Sequence, residues 1–164
     1  MLEGDDVTQN GEGWAGSKRF RGRSDHTLDE KGRLNIPARF QDVLRASDDD
    51  RLMVIPWNKC IKAYPVPEWE KLEETLLAEM KNHPDNKKMV KHMIGGVVEC
   101  QLKQGRILLP PKMREDCGIE KDVVLEGMMH IFEIWDKHTW ELENKPSGED
   151  FQKFEETLSR FGLF

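Results

Sequence analysis

Apolar and polar positions divide the chain into short strands and short helices, in an order that occurs twice. Residues 26–28 and 34–36 are brief apolar stretches on either side of Lys31-Gly32. Residues 97–101 and 107–109 flank Gln104-Gly105 in the same way. Glycine at those turns suits the positive φ of a hairpin. Pro37 and Pro110-Pro111 then open short helices, where a proline in the first turn forfeits no hydrogen bond. These helices end before Ser47-Asp48-Asp49-Asp50 and before Gly118. Two more strands follow in each half: 52–55 with 60–64, and 123–125 with 131–135, turned by Pro56-Trp57-Asn58 and by Gly127.

The two halves also match residue by residue. Gly32-Arg33-Leu34-Asn35-Ile36-Pro37 answers Gly105-Arg106-Ile107-Leu108-Leu109-Pro110 at an offset of 73. Tyr64 with Trp69-Glu70 answers Trp135 with Trp140-Glu141 at an offset of 71. Repetition at this scale marks two copies of one supersecondary unit. A unit of roughly 45 residues buries too little surface to stand alone, so the two units are expected to share one core. The fold class expected is α+β with a mostly β core.

Helical spacing fills the rest. Trp69, Leu72, Leu76, Leu77 and Met80 share one face of a helix over 68–80, His83-Pro84 interrupts it, and a second helix is expected over 86–94. Residues 144–150 read as a linker in which Ser147-Gly-Glu-Asp150 resembles a capping box. It opens a helix carrying Phe151, Phe154, Leu158 and Phe161, whose apolar stripe reads first as a packing face and second as a partner-binding face. The expected organisation is an extension over 1–19, a first unit over 20–69, a helical connector over 70–95, a second unit over 96–140, and a linker with an amphipathic helix over 141–164.

Composition narrows the classes. The chain has 164 residues, 34% of them charged and 37% hydrophobic, with mean hydropathy −0.71. No apolar run approaches the roughly 18 residues of a membrane span. The acidic, polar first ten residues are not a signal peptide, and three cysteines (Cys60, Cys100, Cys117) make no disulfide framework, which fits a reducing cytoplasm. A net charge of −6 argues against nucleic acid until its distribution is considered. Residues 18–45 hold eight basic and four acidic residues, so that segment is +4 and the remainder −10. Local fields govern binding more than totals do.

Catalytic and metal motifs are missing from the pattern. Gly11-Glu-Gly13-Trp-Ala-Gly16 spells GxGxxG, but no strand precedes it and no helix follows. Five histidines and three cysteines show no CxxC, HxxxH or HxH spacing, so no metal and no cofactor is expected. No nucleophile stands with a base, and nothing suggests an enzyme or a small-molecule substrate. Cys100 and Cys117 occupy positions expected of small core residues.

The turn Asp29-Glu30-Lys31-Gly32-Arg33 is more informative. It sets two cations beside a glycine at a projecting tip. Lys31 and Arg33 lie two apart and share a strand face, and Arg33 can fork to phosphate or guanine. Asp29, four residues before Arg33, is placed to pair with it or to hold the loop. On residue types alone, a solvated turn with a weak surface ion pair is the favoured reading, because charged hairpin tips are common.

These residues resemble the MraZ family of bacterial transcriptional regulators. The resemblance rests on Phe20-Arg21-Gly22, the run from Leu28 to Pro37, Tyr64-Pro65-Val66-Pro67-Glu68-Trp69, Glu99-Cys100, the run from Gly105 to Pro110, and Phe132-Glu133-Ile134-Trp135. It implies two SpoVT/AbrB-like swapped-hairpin units per chain, ring-shaped homo-oligomers, and binding of double-stranded DNA at promoter direct repeats of the cell-division and cell-wall gene cluster. It further implies repression, a cytoplasmic, nucleoid-associated location and no membrane. The family's Asp-x-x-x-Arg motif falls on Asp29 and Arg33. The DNA-binding candidates are thus Arg21, Asp29, Lys31, Gly32, Arg33 and Arg39, with Lys103 and Arg106 as a contact from the second unit. Three departures stand out: residues 1–19 precede the family's usual start, Leu102 replaces the second Asp in a turn one residue shorter, and the terminal helix lies beyond the match. The second unit over 97–140 carries six basic and eight acidic residues, so the first hairpin is expected to carry DNA and the second to build scaffold. The alternative is a scaffold ring or antitoxin-like protein-interaction module.

Overall fold

The computed structural model describes residues 19–164. The expected extension up to residue 18, with its glycine pattern at 11–16, lies outside the described residues. The first unit runs β1 (Arg23–Thr27), β2 (Arg33–Asn35), α1 (Ala38–Ala46), β3 (Arg51–Trp57) and β4 (Cys60–Pro65). A connector follows: α2 (Val66–Asn82), a 3-10 turn (Pro84–Asn86) and α3 (Lys87–Gly96). The second unit repeats the order as β5 (Val98–Gln101), β6 (Arg106–Leu108), α4 (Pro111–Asp116), β7 (Asp122–Gly127) and β8 (Phe132–Asp136), before α5 (Lys137–Asn144) and α6 (Gly148–Arg160).

Strand pairing departs from the local hairpin pattern. The strands beside each Gly turn do not zip onto each other. β1 pairs with β7 and β5 with β3, each crossing to the other unit, while β2 pairs with β6. The six-stranded antiparallel sheet therefore has the order β1-β7-β8-β4-β3-β5, and a separate two-stranded ribbon is β2-β6. Exchanging the two units maps this order onto itself. The units are intertwined, and one core cluster draws on both, including Leu34, Phe40, Leu52 and Ile61 from the first and Ile107, Leu109, Leu125 and Phe132 from the second. Phe20, Phe40 and Phe132 meet there with ring centroids 5.0–5.2 Å apart.

The approximate two-fold axis passes through two residue pairs. In the ribbon it runs through Leu34 and Ile107, in the sheet through Lys62 and Glu133. Each pair joins a residue to its own repeat counterpart. In an assembly of identical units Lys62 would face a second lysine, and like charges directly opposite are destabilising. Fusion into one chain lets the counterparts differ: Lys62 Nζ donates to Glu133 Oε2 at 2.6 Å, with the two side chains 21% and 12% exposed. Burial pushes the Lys62 ammonium down, but the hydrogen bond and charge of Glu133 outweigh it and leave the pKa raised.

The helices follow the expected pattern with longer limits. α2 buries Trp69 and Leu76, and α3 returns with Val90 buried. The capping box at Ser147 and Asp150 is formed, and Gly162 at φ +72 closes α6. The packing reading for α6 is not met among the described residues. None of its residues is buried, and Phe151, Phe154, Phe161, Leu163 and Phe164 are exposed. Among the described residues, no helix is long and apolar enough to cross a membrane, and no group of three or more His, Cys, Asp or Glu could hold a metal ion. Cys60, Cys100 and Cys117 are free and buried.

Candidate nucleic-acid interface

Swapping places the two Gly turns at opposite ends of one short ribbon. Alternation in a strand sends successive side chains to opposite faces. Leu34 and Ile107 therefore point into the core, and Arg33, Asn35, Arg106 and Leu108 line the outer face. Across the ribbon Arg33 stands opposite Leu108, and Asn35 opposite Arg106. Each strand's end is tied to the other turn: the Leu109 N–H donates to the Gly32 carbonyl at 3.0 Å, and the Ile36 N–H to the Gly105 carbonyl at 2.9 Å.

The two turns are built differently. The first is a three-residue loop. The Asp29 N–H donates to the Arg33 carbonyl (3.1 Å), and Gly32, at φ +87, donates to the Asp29 carbonyl (3.0 Å). The Asp29 carboxylate finishes it. Oδ1 accepts from the N–H groups of Lys31 (3.0 Å) and Arg33 (2.8 Å), and Oδ2 accepts from Arg33 Nε (2.5 Å). The Arg33 backbone N–H foremost, with the Arg33 guanidinium and the Lys31 N–H, holds the Asp29 carboxyl at about 2, below its ordinary 3.8.

The second turn is one residue shorter and closes on itself. Lys103 and Arg106 exchange two backbone hydrogen bonds, at 2.8 and 3.0 Å. Gln104 and Gly105 have φ of 52° and 75°. Two positive values in a two-residue loop are the type I′ geometry favoured by hairpins. No carboxylate is needed: with one residue fewer, Lys103 takes the place of Asp29 at the base of the turn, and Leu102, packed against the core, answers Leu28. Asp29 also lies 3.7 Å from Arg106 Nη1, so one carboxylate faces the arginines of both units.

Each turn glycine is roofed by a residue from the other unit. Arg114 lies against Gly32 and Gln41 against Gly105, and these are counterparts at the 73-residue offset. A Cβ at Gly32 would sit 2.7 Å from the Arg114 guanidinium, and one at Gly105 would sit 3.0 Å from Gln41 Nε2.

The structure thus brings Asp29, Lys31, Gly32, Arg33, Lys103 and Arg106 to the ribbon and its two turns. Arg21 and Arg39 form a second group: Arg39 Nε donates to the Arg21 carbonyl at 3.1 Å, and its guanidinium lies 5.0 Å from the Phe40 ring centroid. Arg21 precedes β1 and Asp29 follows it, beyond opposite ends of that five-residue strand. Asn35, Leu108, Gln41 and Arg114 were not singled out by sequence. The repeat alignment already paired Asn35 with Leu108, but only strand pairing shows that both face outward beside an arginine.

Comparison with known proteins gives a consistent picture. The family model described as "MraZ protein, putative antitoxin-like" matches residues 19–92 and again 93–162. The chain is 39% identical over 149 residues to a protein of Syntrophobacter fumaroxidans, covering 90% of this chain and 99% of that one. It is 41% identical over 147 residues to one of Desulforapulum autotrophicum, covering 88% and 99%. A protein of Pediococcus pentosaceus is 37% identical over 145 residues, again covering 88% and 99%. All three relatives carry the name transcriptional regulator MraZ.

Proposed function

The chain belongs to the MraZ family, and from that premise we propose that it is a sequence-specific DNA-binding regulator, acting as a ring that represses its own cell-division and cell-wall gene cluster. The role in transcription regulation follows from the relatives' names and from a family match spanning both units. The observation that carries the DNA reading is the outer face of the β2-β6 ribbon. It sets Arg33 and Arg106 on one surface, flanked by the turn cations Lys31 and Lys103, with Asp29 hydrogen-bonded to Arg33 and 3.7 Å from Arg106. A two-stranded ribbon fits a major groove, and a held guanidinium can fork to guanine or phosphate.

One ribbon makes a small footprint. Several on one ring raise the effective concentration for each further contact. A head-to-tail ring presents all ribbons in the same sense, so the target is a series of direct repeats spaced near one turn of about 10 base pairs. The acidic remainder of the chain repels DNA elsewhere and orients the ring. In the cell this activity places the protein on the nucleoid.

The test is fluorescence anisotropy with the duplex upstream of its own gene and a scrambled duplex, at two salt concentrations. Preferential binding that falls steeply with salt supports the reading. Equal binding to both duplexes overturns it. The exposed Phe face of α6 favours a second reading, a ring scaffold docking a protein partner. Partner capture without DNA that is lost on deleting residues 147–164 would establish that alternative.

A further inference from the structure

We propose that Asn35 and Leu108 are the residues that give the ribbon its sequence direction, Leu108 meeting a thymine methyl group and Asn35 an adenine edge. This rests on the DNA reading above and adds the base classes to it.

The axis through Leu34 and Ile107 relates Arg33 to Arg106 and Asn35 to Leu108. The two arginines are the same residue type, so although Asp29 holds them unequally they offer the same fork to a base and by themselves say little about direction. The other outer pair differs in chemistry. An amide stands opposite Arg106, and an isobutyl group stands opposite Arg33. Within the two strands of the ribbon, those are the outer positions whose residue types differ, and such a difference distinguishes a site from its reverse. Direct repeats require that distinction and palindromes do not.

Packing among the described residues does not account for a leucine at position 108. Its neighbours Ile107 and Leu109 are 1% and 0% exposed and fill the core, whereas Leu108 is 54% exposed between cations. An open strand position beside Arg33 and Arg106 would be served by a polar residue, as its counterpart Asn35 shows. Apolar surface there gains nothing until something apolar covers it. In a major groove the exposed apolar group is the thymine C5-methyl, and an amide pairs in two places with adenine N6 and N7. Outer residues two apart along β2 are about 6.6 Å apart, close to two base-pair steps of about 3.4 Å. The arginine and its strand neighbour can thus address different bases. The apolar surface continues from Leu108 to Val98 and Pro110, which line one groove with Arg33, Lys103 and Arg106, so a contact with another protein chain is the competing use.

The experiment uses the full-length protein and its upstream duplex, with each thymine of a repeat replaced in turn by deoxyuridine. That removes one methyl and keeps base pairing. The wild type should lose about fourfold in affinity at one thymine per repeat, the scale of one buried methyl. Leu108→Ala should bind without that penalty, and Leu108→Asn should tolerate adenine there. Unchanged melting temperature and assembly mass guard against misfolding. A penalty that persists in Leu108→Ala, or no sensitive thymine, overturns the assignment. Changed assembly mass with intact deoxyuridine sensitivity also overturns it and makes Leu108 a contact between copies. Wild type that binds upstream and scrambled duplexes equally brings down the DNA reading itself, a result distinct from selective binding without methyl sensitivity.

Discussion

The two Gly turns solve one problem in different ways. The first spans three residues and uses the Asp29 carboxylate as a fifth element of the loop, taking two backbone N–H groups and the Arg33 side chain. The second spans two residues, closes by a pair of backbone hydrogen bonds, and leaves Arg106 without a carboxylate of its own unit. Yet the ribbon delivers Arg106 to within 3.7 Å of Asp29. A motif that looks broken in one unit is completed by the other, because strand exchange brings the turns to a common surface. Loss of the second Asp and loss of one loop residue go together: in the shorter loop the Lys103 carbonyl takes the Arg106 N–H, whereas in the longer one the Asp29 carboxylate takes the Arg33 N–H.

At the two-fold axis the units must differ. Glu133→Lys sets Lys62 against a second lysine in a largely buried pair, and stability should fall by about 3 kcal/mol. Lys62→Glu combined with Glu133→Lys should recover most of the loss. Urea titration checks both, and an equal loss in the double variant would show that packing rather than charge decides the pair.

The arginines test whether the units contribute equally. If each fork contributes about 1–3 kcal/mol, Arg33→Ala should weaken binding to the upstream duplex about 100-fold with assembly mass unchanged. Arg106→Ala should cost about tenfold, since its carboxylate contact is longer and its segment is acidic. Equal losses in the two variants would remove the ranking of the turns. Asp29→Asn should cost about fivefold and reduce the further effect of Arg106→Ala, because the same carboxylate faces both arginines. Full additivity would show that Asp29 serves the first turn alone.

The smallest effect is on acidity. The Asp29 carboxyl is held at about 2 against an ordinary 3.8, so it binds a proton less readily in the folded turn than in the unfolded chain. Its stabilising contribution is thus complete above about pH 4 and is lost as pH falls through about 2. Carbon-detected NMR titration of the Asp29 side chain should show this, and a midpoint near 3.8 would mean that the turn hydrogen bonds are not maintained in solution.

Much of this was legible in the chain. The repeat, the Gly turns, the capping box at Ser147 and the burial of Cys100 and Cys117 follow from local pattern. So does the grouping of Asp29, Lys31 and Arg33, since the chemistry lies within five residues. Asn35 and Leu108 were visible as counterparts but not as neighbours of the arginines. The exposed stripe of α6 reads like a core-facing one, because amphipathicity specifies a face to cover but not what covers it.

What the sequence determined alone was therefore the unit: strand, Gly turn, strand, helix and two further strands, twice over, with opposite charges available at positions 62 and 133. These depend on residues close in the chain, where backbone preference and side-chain period act directly. Apart from what the family resemblance implies, only the tertiary structure decided that the strands beside each turn pair across units. Periodicity is blind to which of several equivalent edges a strand joins. That choice is made by burying one shared core, and it is what sets Arg33, Asn35, Arg106 and Leu108 on a single face.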